Sequence, residues 1–516
     1  MNFSLALFVV AAAGFVALSY EIAWFRVYTF LTGGTAGAFG LLLAAYLGGV
    51  ALGSVFARRA CRDDELDTDR RARLKLPAIL TLVASALGFV LIPYVAWHVT
   101  LLHWTASLPV VALVAGLTGA ILPLIAHFGI APDSRAGERM SWLYLANIIG
   151  CTAGSLTTGF VLLDVMPLRQ VSVVLAIAGF ALAAVLFVAS RPTPRYLIVA
   201  LLVTGLFAAA TVPAAPVAFD GIWPKLQRKT KFDGKERFDK VIQTRSGVIT
   251  VDNDRKVYGG GIYDGQFTTS LTPDTNRVFR AYAIAAVHPK PKRVLMIGLA
   301  SGAWANVVVN APGVERFDII EINPGYIELI QSEPLVKPIL TNEKTHIHLD
   351  DGRRWLQANP DEKFDVIVQN TTYYWRGHIT NLLSAEYLQL VRSRLRDGGV
   401  FFYNTTNYKP SMKTACDAFT SGFRFLNFMY VSDRPELDLD LAAWRKALVG
   451  WRVNGRKTFD LDKPRHRDAL EELLSRREKP LYFEKCAALL RRYGDEPTIT
   501  DDNMKSEFDQ PWYRSH

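Results

Sequence analysis

At 516 residues the chain is too long for one ordinary domain, and its 50% hydrophobic content and mean hydropathy of +0.15 are high for a soluble protein. The net charge is +10, but the bases are dispersed, often beside acids, and many flank apolar segments. That distribution suits anchoring and orientation in a membrane and argues against a nucleic-acid partner.

Apolar residues dominate the first part of the chain. Runs long enough to cross a bilayer cover 3–22, 30–57, 76–97, 108–130, 142–165, 171–189 and 196–213. The first lacks a basic stretch ahead of it and no soluble domain follows it, so it reads as an uncleaved span rather than a signal peptide. The small residues of GGTAGAFGLLLAAYLGGVALGS suit close helix packing in lipid. Residues 1–213 are therefore expected to form an α-helical, multi-pass transmembrane bundle in the inner (plasma) membrane, with the lipid bilayer as a partner. The plain role for it is an anchor. The alternative is transport or substrate access, because Glu21, Arg26, His127 and Asn147 sit in or beside spans, where polar groups are costly unless paired or used.

The loop after the second run holds Arg58, Arg59, Arg62, Arg70, Arg71, Arg73 and Lys75, which the positive-inside rule assigns to the cytosol. Arg135, Arg139, Arg191 and Arg195 fall on the same side if the spans alternate. Seven spans would leave the remainder of the chain outside the cytosol; six or eight would leave it inside. A nucleoside ligand argues for the cytosol, where the soluble part is expected.

A Pro/Ala-rich exit opens a linker at 214–240. In VIQTRSGVITVDNDRKVYGGGIYDGQFTTSL apolar and polar residues alternate between turn signals, so 241–290 reads as a small antiparallel β unit followed by a helix. Strand and helix patterns then alternate: VLMIG, a helix at 303–310, FDIIEI, a helix at 324–333, HIHLD, a helix at 352–358, FDVIVQN, a helix at 385–395 and VFFYNT. Repeated βα units of this length predict a parallel, doubly wound α/β sheet of Rossmann-like type over 291–408. The tail, 409–516, mixes helix signals (LAAWRKAL, RDALEELLSRR, EKCAALLRRYG) with charged loops. It reads as a helical extension without chemistry that packs on the sheet or links two copies into a homodimer. Cys61, Cys151, Cys416 and Cys486 are far apart with no CxxC pair, a pattern that points to neither a disulfide framework nor a zinc site.

In such a sheet the ligand sits at the carboxyl ends of the strands, over the first turn. There, in GLASG, Gly298 and Gly302 let backbone approach a ligand and a helix start beside it, or simply make a tight turn. Glu321 ends the second strand and either accepts hydrogen bonds from a ribose diol or is a solvated acid. Asp351, before a helix, either accepts from an adenine amine or caps that helix. Asn370 ends the fourth strand, where a transferase places the group facing the reactive carbon. The run Tyr373, Tyr374 and Trp375 either packs an apolar acceptor or is a lid or core, and His378 is either a polar contact or plain surface.

The order DGQ, VLMIG-x-x-x-G, EINP, DDGRRW, FDVIVQN, LLSAEY and DGGVFF, over 241–406, resembles the spermidine synthase family of aminopropyltransferases. The fold class implied is a transmembrane bundle plus a methyltransferase/spermidine-synthase-like domain. ALGSVFARR, WLYLANIIGCTAGSLTTGFVLL and the closing TDDNM resemble membrane-fused bacterial members with a transporter-like N-terminal region. The resemblance implies that Gln266 and Glu321 contact a nucleoside, that Asp351 holds adenine, and that 384–386 shapes the wall after the catalytic loop. It implies S-adenosylmethionine or its decarboxylated form as donor, a small-molecule acceptor and no metal.

The departures fall at the other end of the site. Ser301 stands where the family has an acid that holds the amino end of the decarboxylated donor. Asn370 and Tyr373 replace both acids of the Asp-Ser-x-Asp-Pro loop, and Asn323 stands in EINP for EIDP. The tyrosine-histidine-glutamate segment is replaced around 276–278. Aminopropyl transfer needs a neutral amine, yet an amine of pKa near 10 is almost all protonated at pH 7, and asparagine cannot take its proton. Two readings follow. One is a membrane-bound transferase passing an aminopropyl or methyl group to an unusual acceptor, with Tyr373, Tyr374, His378 or Asp264 supplying the polar contacts or base. The other is a catalytically silent nucleoside sensor or scaffold fused to a transporter-like bundle. An NAD-dependent oxidoreductase is disfavoured, since the turn lacks GxGxxG.

Overall fold

In a computed structural model, residues 2–61, 74–130, 133–288, 290–370 and 373–509 are described. The basic-loop residues Arg62, Arg70, Arg71 and Arg73 lie outside them. The chain folds as two units, Met1–Phe238 with Gln243–Gly247, and Asp239–Ile242 with Val248–His516.

The first unit contains seven helices long and apolar enough to cross a membrane: α1 Phe3–Thr32, α2 Ala36–Ala60, α3 Lys75–His98, α4 Trp104–Phe128, α5 Ala136–Val165, α6 Leu168–Ala189 and α7 Pro194–Ala218. Large apolar side chains such as Leu52, Leu202 and Leu206 remain about 70% exposed, which a bundle in water would bury and one in lipid need not. Small residues set the closest contacts. A Cβ on Gly53 would stand 1.9 Å from the Gly116 carbonyl oxygen across α2 and α4, and one on Gly150 would stand 1.9 Å from that of Ala11 across α1 and α5. The first span runs to Thr32, past the expected end at residue 22, so Glu21 and Arg26 lie inside α1. Arg26 donates to the backbone carbonyls of Thr244 and Arg245, within this unit. The seventh span continues through Pro213 and Pro216 to Ala218.

In the second part of the chain, a four-stranded sheet runs β1 Phe238–Thr244, β2 Gly247–Asp252, β3 Lys256–Gly259 and β4 Ile262–Gln266, in that order. The main sheet has eight strands: β5 Arg293–Ile297, β6 Arg316–Glu321, β7 Thr345–Leu349, β8 Phe364–Gln369, β9 Leu395–Asn404, β10 Ser421–Phe425, β11 Phe428–Ser432 and β12 Phe483–Lys485. Their order is β12-β10-β11-β9-β8-β5-β6-β7. Strands β7, β6, β5, β8 and β9 are parallel; β11, β10 and β12 add antiparallel. Alternate residues feed two cores, Val294, Met296, Ile319 and Val366 on one face and Leu295, Ile297, Ile320 and Ile367 on the other. Burial on both faces is why these strands read as continuous apolar runs. Helices α8 Ala303–Val309, α9 Gly325–Gln331, α10 Gly352–Ala358 and α11 Ala385–Ser393 connect the parallel strands.

The tail departs from expectation twice. It is not only helical, because β10, β11 and β12 extend the main sheet; FMYV gains its strand character by pairing with β9, and FRF by pairing with β11 and β12. In addition, Cys416 on α12 (Lys409–Ala418) and Cys486 after β12 form a disulfide, with Cα atoms 5.4 Å apart. Their separation of 70 residues carries no pairing signal; the docking of β12 on β10 brings them together.

Candidate active site

Strand order reverses at β5, whose neighbours are β6 and β8, and the crevice at their carboxyl ends is where such sheets hold ligands. Gly298 (φ +89°) turns the chain out of β5 so tightly that a Cβ would stand 3.2 Å from the Asn370 carbonyl oxygen. Gly302 (φ +75°) opens α8, where a Cβ would meet Ile330 at 2.8 Å. A cavity of about 530 Å³ lies over this turn. Its wall includes Asp264 and Gln266 from β4, Ser301 from the turn, and Asn370 and Tyr373 after β8. Four of the ten described non-glycine residues with left-handed backbone also line it: Arg277, Ala300, Thr406 and Asn407. Such strain concentrates where surrounding structure enforces a functional geometry.

The residues expected to contact a nucleoside already have partners within the protein. Gln266 accepts from Thr275 through its side chain (2.8 Å), and its carbonyl accepts from Ser301 Oγ (2.9 Å) and Asn276 Nδ2 (3.1 Å). Glu321 is 4% exposed, and its carboxylate accepts the Leu299 N–H at 2.7 Å and the Asn323 N–H at 2.8 Å. It therefore ties the glycine turn to the start of the next loop and is not a solvated acid. Burial pushes its carboxyl up to about 7, against the pull of those N–H groups. Asp351 caps α10, accepting from the Arg354 N–H at 2.9 Å.

Asp264 is half-buried on the cavity wall and accepts from the Tyr326 hydroxyl. Burial raises its carboxyl above the ordinary range, while Tyr326 and the buried Arg376 pull the other way. It is the one carboxylate among the described wall residues. Tyr373 stacks on Trp375 (5.6 Å between centroids), but Trp375 is only 2% exposed and belongs to the core. Tyr374 stacks on Tyr408 at 3.9 Å and packs against the second core. His378 has left-handed backbone, and its N–H donates to Glu507 (2.9 Å), which also accepts from the Thr380 N–H (3.0 Å).

The tail, expected to pack on the sheet, thus also clamps the loop after β8. Asp501 of the TDDNM segment adds bonds to Arg353 (2.7 Å) and Ser384 (2.6 Å). Sequence reading also missed Lys256, Arg277, Arg280, Asn404, Thr406, Asn407 and Asn427 on the wall. Asn427, in the turn before β11, donates to Asn404 at the end of β9 (2.7 Å), a pairing that no linear spacing announces. A signal existed only around 276–278, where the resemblance leads one to expect a tyrosine-histidine-glutamate segment and the sequence has Asn276, Arg277 and Val278.

Residues 283–431 match the spermine/spermidine synthase domain family. A polyamine aminopropyltransferase of Mycobacterium tuberculosis is 25% identical over 407 residues, covering 76% of this chain and 75% of that protein. Polyamine aminopropyltransferase 2 of Streptomyces coelicolor is 26% identical over 412 residues, covering 76% and 71%. That of Agathobacter rectalis is 32% identical over 119 residues, 23% of this chain and 41% of its own. The spermidine synthase structure from Thermotoga maritima is 16% identical, covers 53% of this chain and 85% of its own, and superposes with a TM-score of 0.31. Residues 283–431 are thus similar to the spermine/spermidine synthase domain, and the longer chain is similar to bacterial polyamine aminopropyltransferases.

Proposed function

We propose that this chain is a membrane-anchored transferase that binds an adenosyl sulfonium compound, S-adenosylmethionine or its decarboxylated form, over the Gly298–Gly302 turn and passes an aminopropyl or methyl group to an acceptor. The observation that carries this reading is the cavity at the ends of β5 and β8, walled by Gln266, Ser301, Asn370 and Tyr373. An acceptor lone pair attacks the carbon beside the sulfonium, the carbon–sulfur bond breaks, and its electron pair stays on sulfur, so a neutral thioether leaves. An acceptor that carries a proton must lose it. Asp264, raised above the usual carboxylate range and facing the cavity, is the described group suited to take it. Tyr326 and Arg376 keep it in place.

A second reading, a silent nucleoside-binding sensor, is favoured by one observation: the loop after β8 holds Asn370 and Tyr373 where the resemblance leads one to expect acids. Titrating the full-length protein with S-adenosylmethionine, its decarboxylated form and methylthioadenosine, followed by product analysis, separates the two. The transferase reading expects turnover that falls 10²–10⁴-fold in Asp264→Asn with adenosyl binding retained. Binding without turnover across amine and other acceptors supports the silent sensor instead.

We also infer that the soluble unit lies outside the cytosol, against the expectation from its ligand alone. Arg58, Arg59, Lys75, Arg135, Arg139, Arg191 and Arg195 flank loops on one side of seven alternating spans, and the soluble unit follows the seventh on the other. Lys225, Arg228, Lys229 and Lys231 follow the last span, but long domains cross largely regardless of charge. The Cys416–Cys486 disulfide supports the same side, since such bonds persist in oxidising compartments. On that side the donor is whatever the cell delivers across the bilayer. Leu481 is 71% exposed, so Leu481→Cys should take a membrane-impermeant maleimide in intact cells. Labelling only after lysis would put the unit in the cytosol.

A further inference from the structure

The cavity has the wrong charge for a polyamine. Lys256, Arg277 and Arg280 stand on its wall against one described carboxylate, Asp264. Arg280 is fixed in place: it donates to Asn427 Oδ1 (2.6 Å) and the Arg277 carbonyl (2.9 Å), and its guanidinium lies over the rings of Trp304 (5.2 Å) and Phe428 (4.8 Å). These groups are neutral. Asp274 acts on it electrostatically, but that carboxylate is already bonded to the N–H groups of Val278 and Phe279. Lys256 pairs with Asp254 at 2.9 Å, an exposed pair that holds it loosely. Arg277 is exposed, and its left-handed backbone (φ 50°) sets it on the wall. Around these cations stand Asn276, Asn370, Asn404, Asn407 and Asn427, amides that donate hydrogen bonds without adding negative charge.

Resting on the adenosyl-binding reading above, we propose that this cavity takes a ligand bearing an anionic group, a carboxylate, held by Lys256, Arg277 and Arg280. Arginine and lysine in a cleft attract and orient such groups, and they repel a polycation. The carboxylate has two sources. One is the amino-acid end of intact S-adenosylmethionine, which the decarboxylated compound lacks. The other is a separate anionic acceptor.

Calorimetry on the full-length protein in detergent tests this with four probes: S-adenosylmethionine, its decarboxylated form, and, with methylthioadenosine bound, glutarate and putrescine. If the donor supplies the carboxylate, S-adenosylmethionine binds at least tenfold tighter than the decarboxylated form. If an acceptor supplies it, glutarate binds at least tenfold tighter than putrescine. In either case the Lys256→Gln/Arg277→Gln double variant abolishes the preference; both side chains are at least partly exposed, and an unchanged melting temperature checks the fold. Arg280→Gln removes the pinned cation and should weaken the anion further. Equal or tighter binding of both the decarboxylated compound and putrescine overturns the proposal. So does a preference that survives the double variant. If no adenosyl compound binds, glutarate is titrated alone; Lys256- and Arg277-dependent binding then means that the transferase reading fails while the anion site stands, and its absence overturns both.

Discussion

Two parts of the site make opposite use of charge. At the glycine turn, Glu321 is a buried carboxylate enclosed by backbone N–H groups, and its role is to hold the turn and the following loop in register. On the cavity wall, Asn370, whose carbonyl lies against Gly298, and Tyr373 bring no charge, while Lys256, Arg277 and Arg280 bring positive charge. The turn is built from main chain, so its geometry outlasts changes of side chain. The charged wall is built from side chains on separate elements, so its charge is set independently of the scaffold.

The comparison breaks most readily at Glu321. Its carboxyl is raised from 4.5 to about 7 in the fold, so the folded state holds the proton more tightly than the unfolded chain. The stability this contributes is fully present below pH 4.5 and is lost as pH rises to about 7, a change of about 3 kcal/mol in chemical denaturation. A flat profile over that window would mean that the carboxylate is ionised and fully compensated. Glu321→Gln should erase the slope and cost about 2 kcal/mol, because the amide turns an NH₂ toward one of two N–H donors. Glu507→Gln weakens the clamp on the loop after β8, at the His378 and Thr380 N–H groups, by about 1 kcal/mol. Its effect should show as faster amide exchange in 378–384 with little change in melting temperature. The smallest stability change, within about 0.5 kcal/mol, is expected for Asn370→Asp at the loop. It sharpens the comparison, since one restored acid should raise putrescine affinity relative to glutarate; no shift would mean that Asn370 does not set the charge seen by the ligand.

Much of the architecture could be read from the chain. Seven apolar runs became seven helices long and apolar enough to cross a membrane, because length and apolar composition are carried by every residue of a run. The parallel strands were legible for the same reason, as each buries both faces. At the turn, Gly298, Ser301 and Gly302 were legible because a tight bend restricts residue type locally. Tyr374 and Trp375 kept two readings in sequence, since an aromatic run looks the same in a core as at a ligand; packing assigned them to the core.

The sequence by itself determined the two-part plan, the apolar runs, the βα order and the uncharged or hydroxyl side chains at Ser301, Asn370 and Tyr373, because each is written in contiguous residues. Only the tertiary structure decided that Glu321 faces backbone N–H groups, that Cys416 meets Cys486, that Asp501 and Glu507 return to grip the loop after β8, and that Lys256, Arg277 and Arg280 share one wall. Those facts depend on distances between residues far apart in the chain, which become short only when the sheet is assembled.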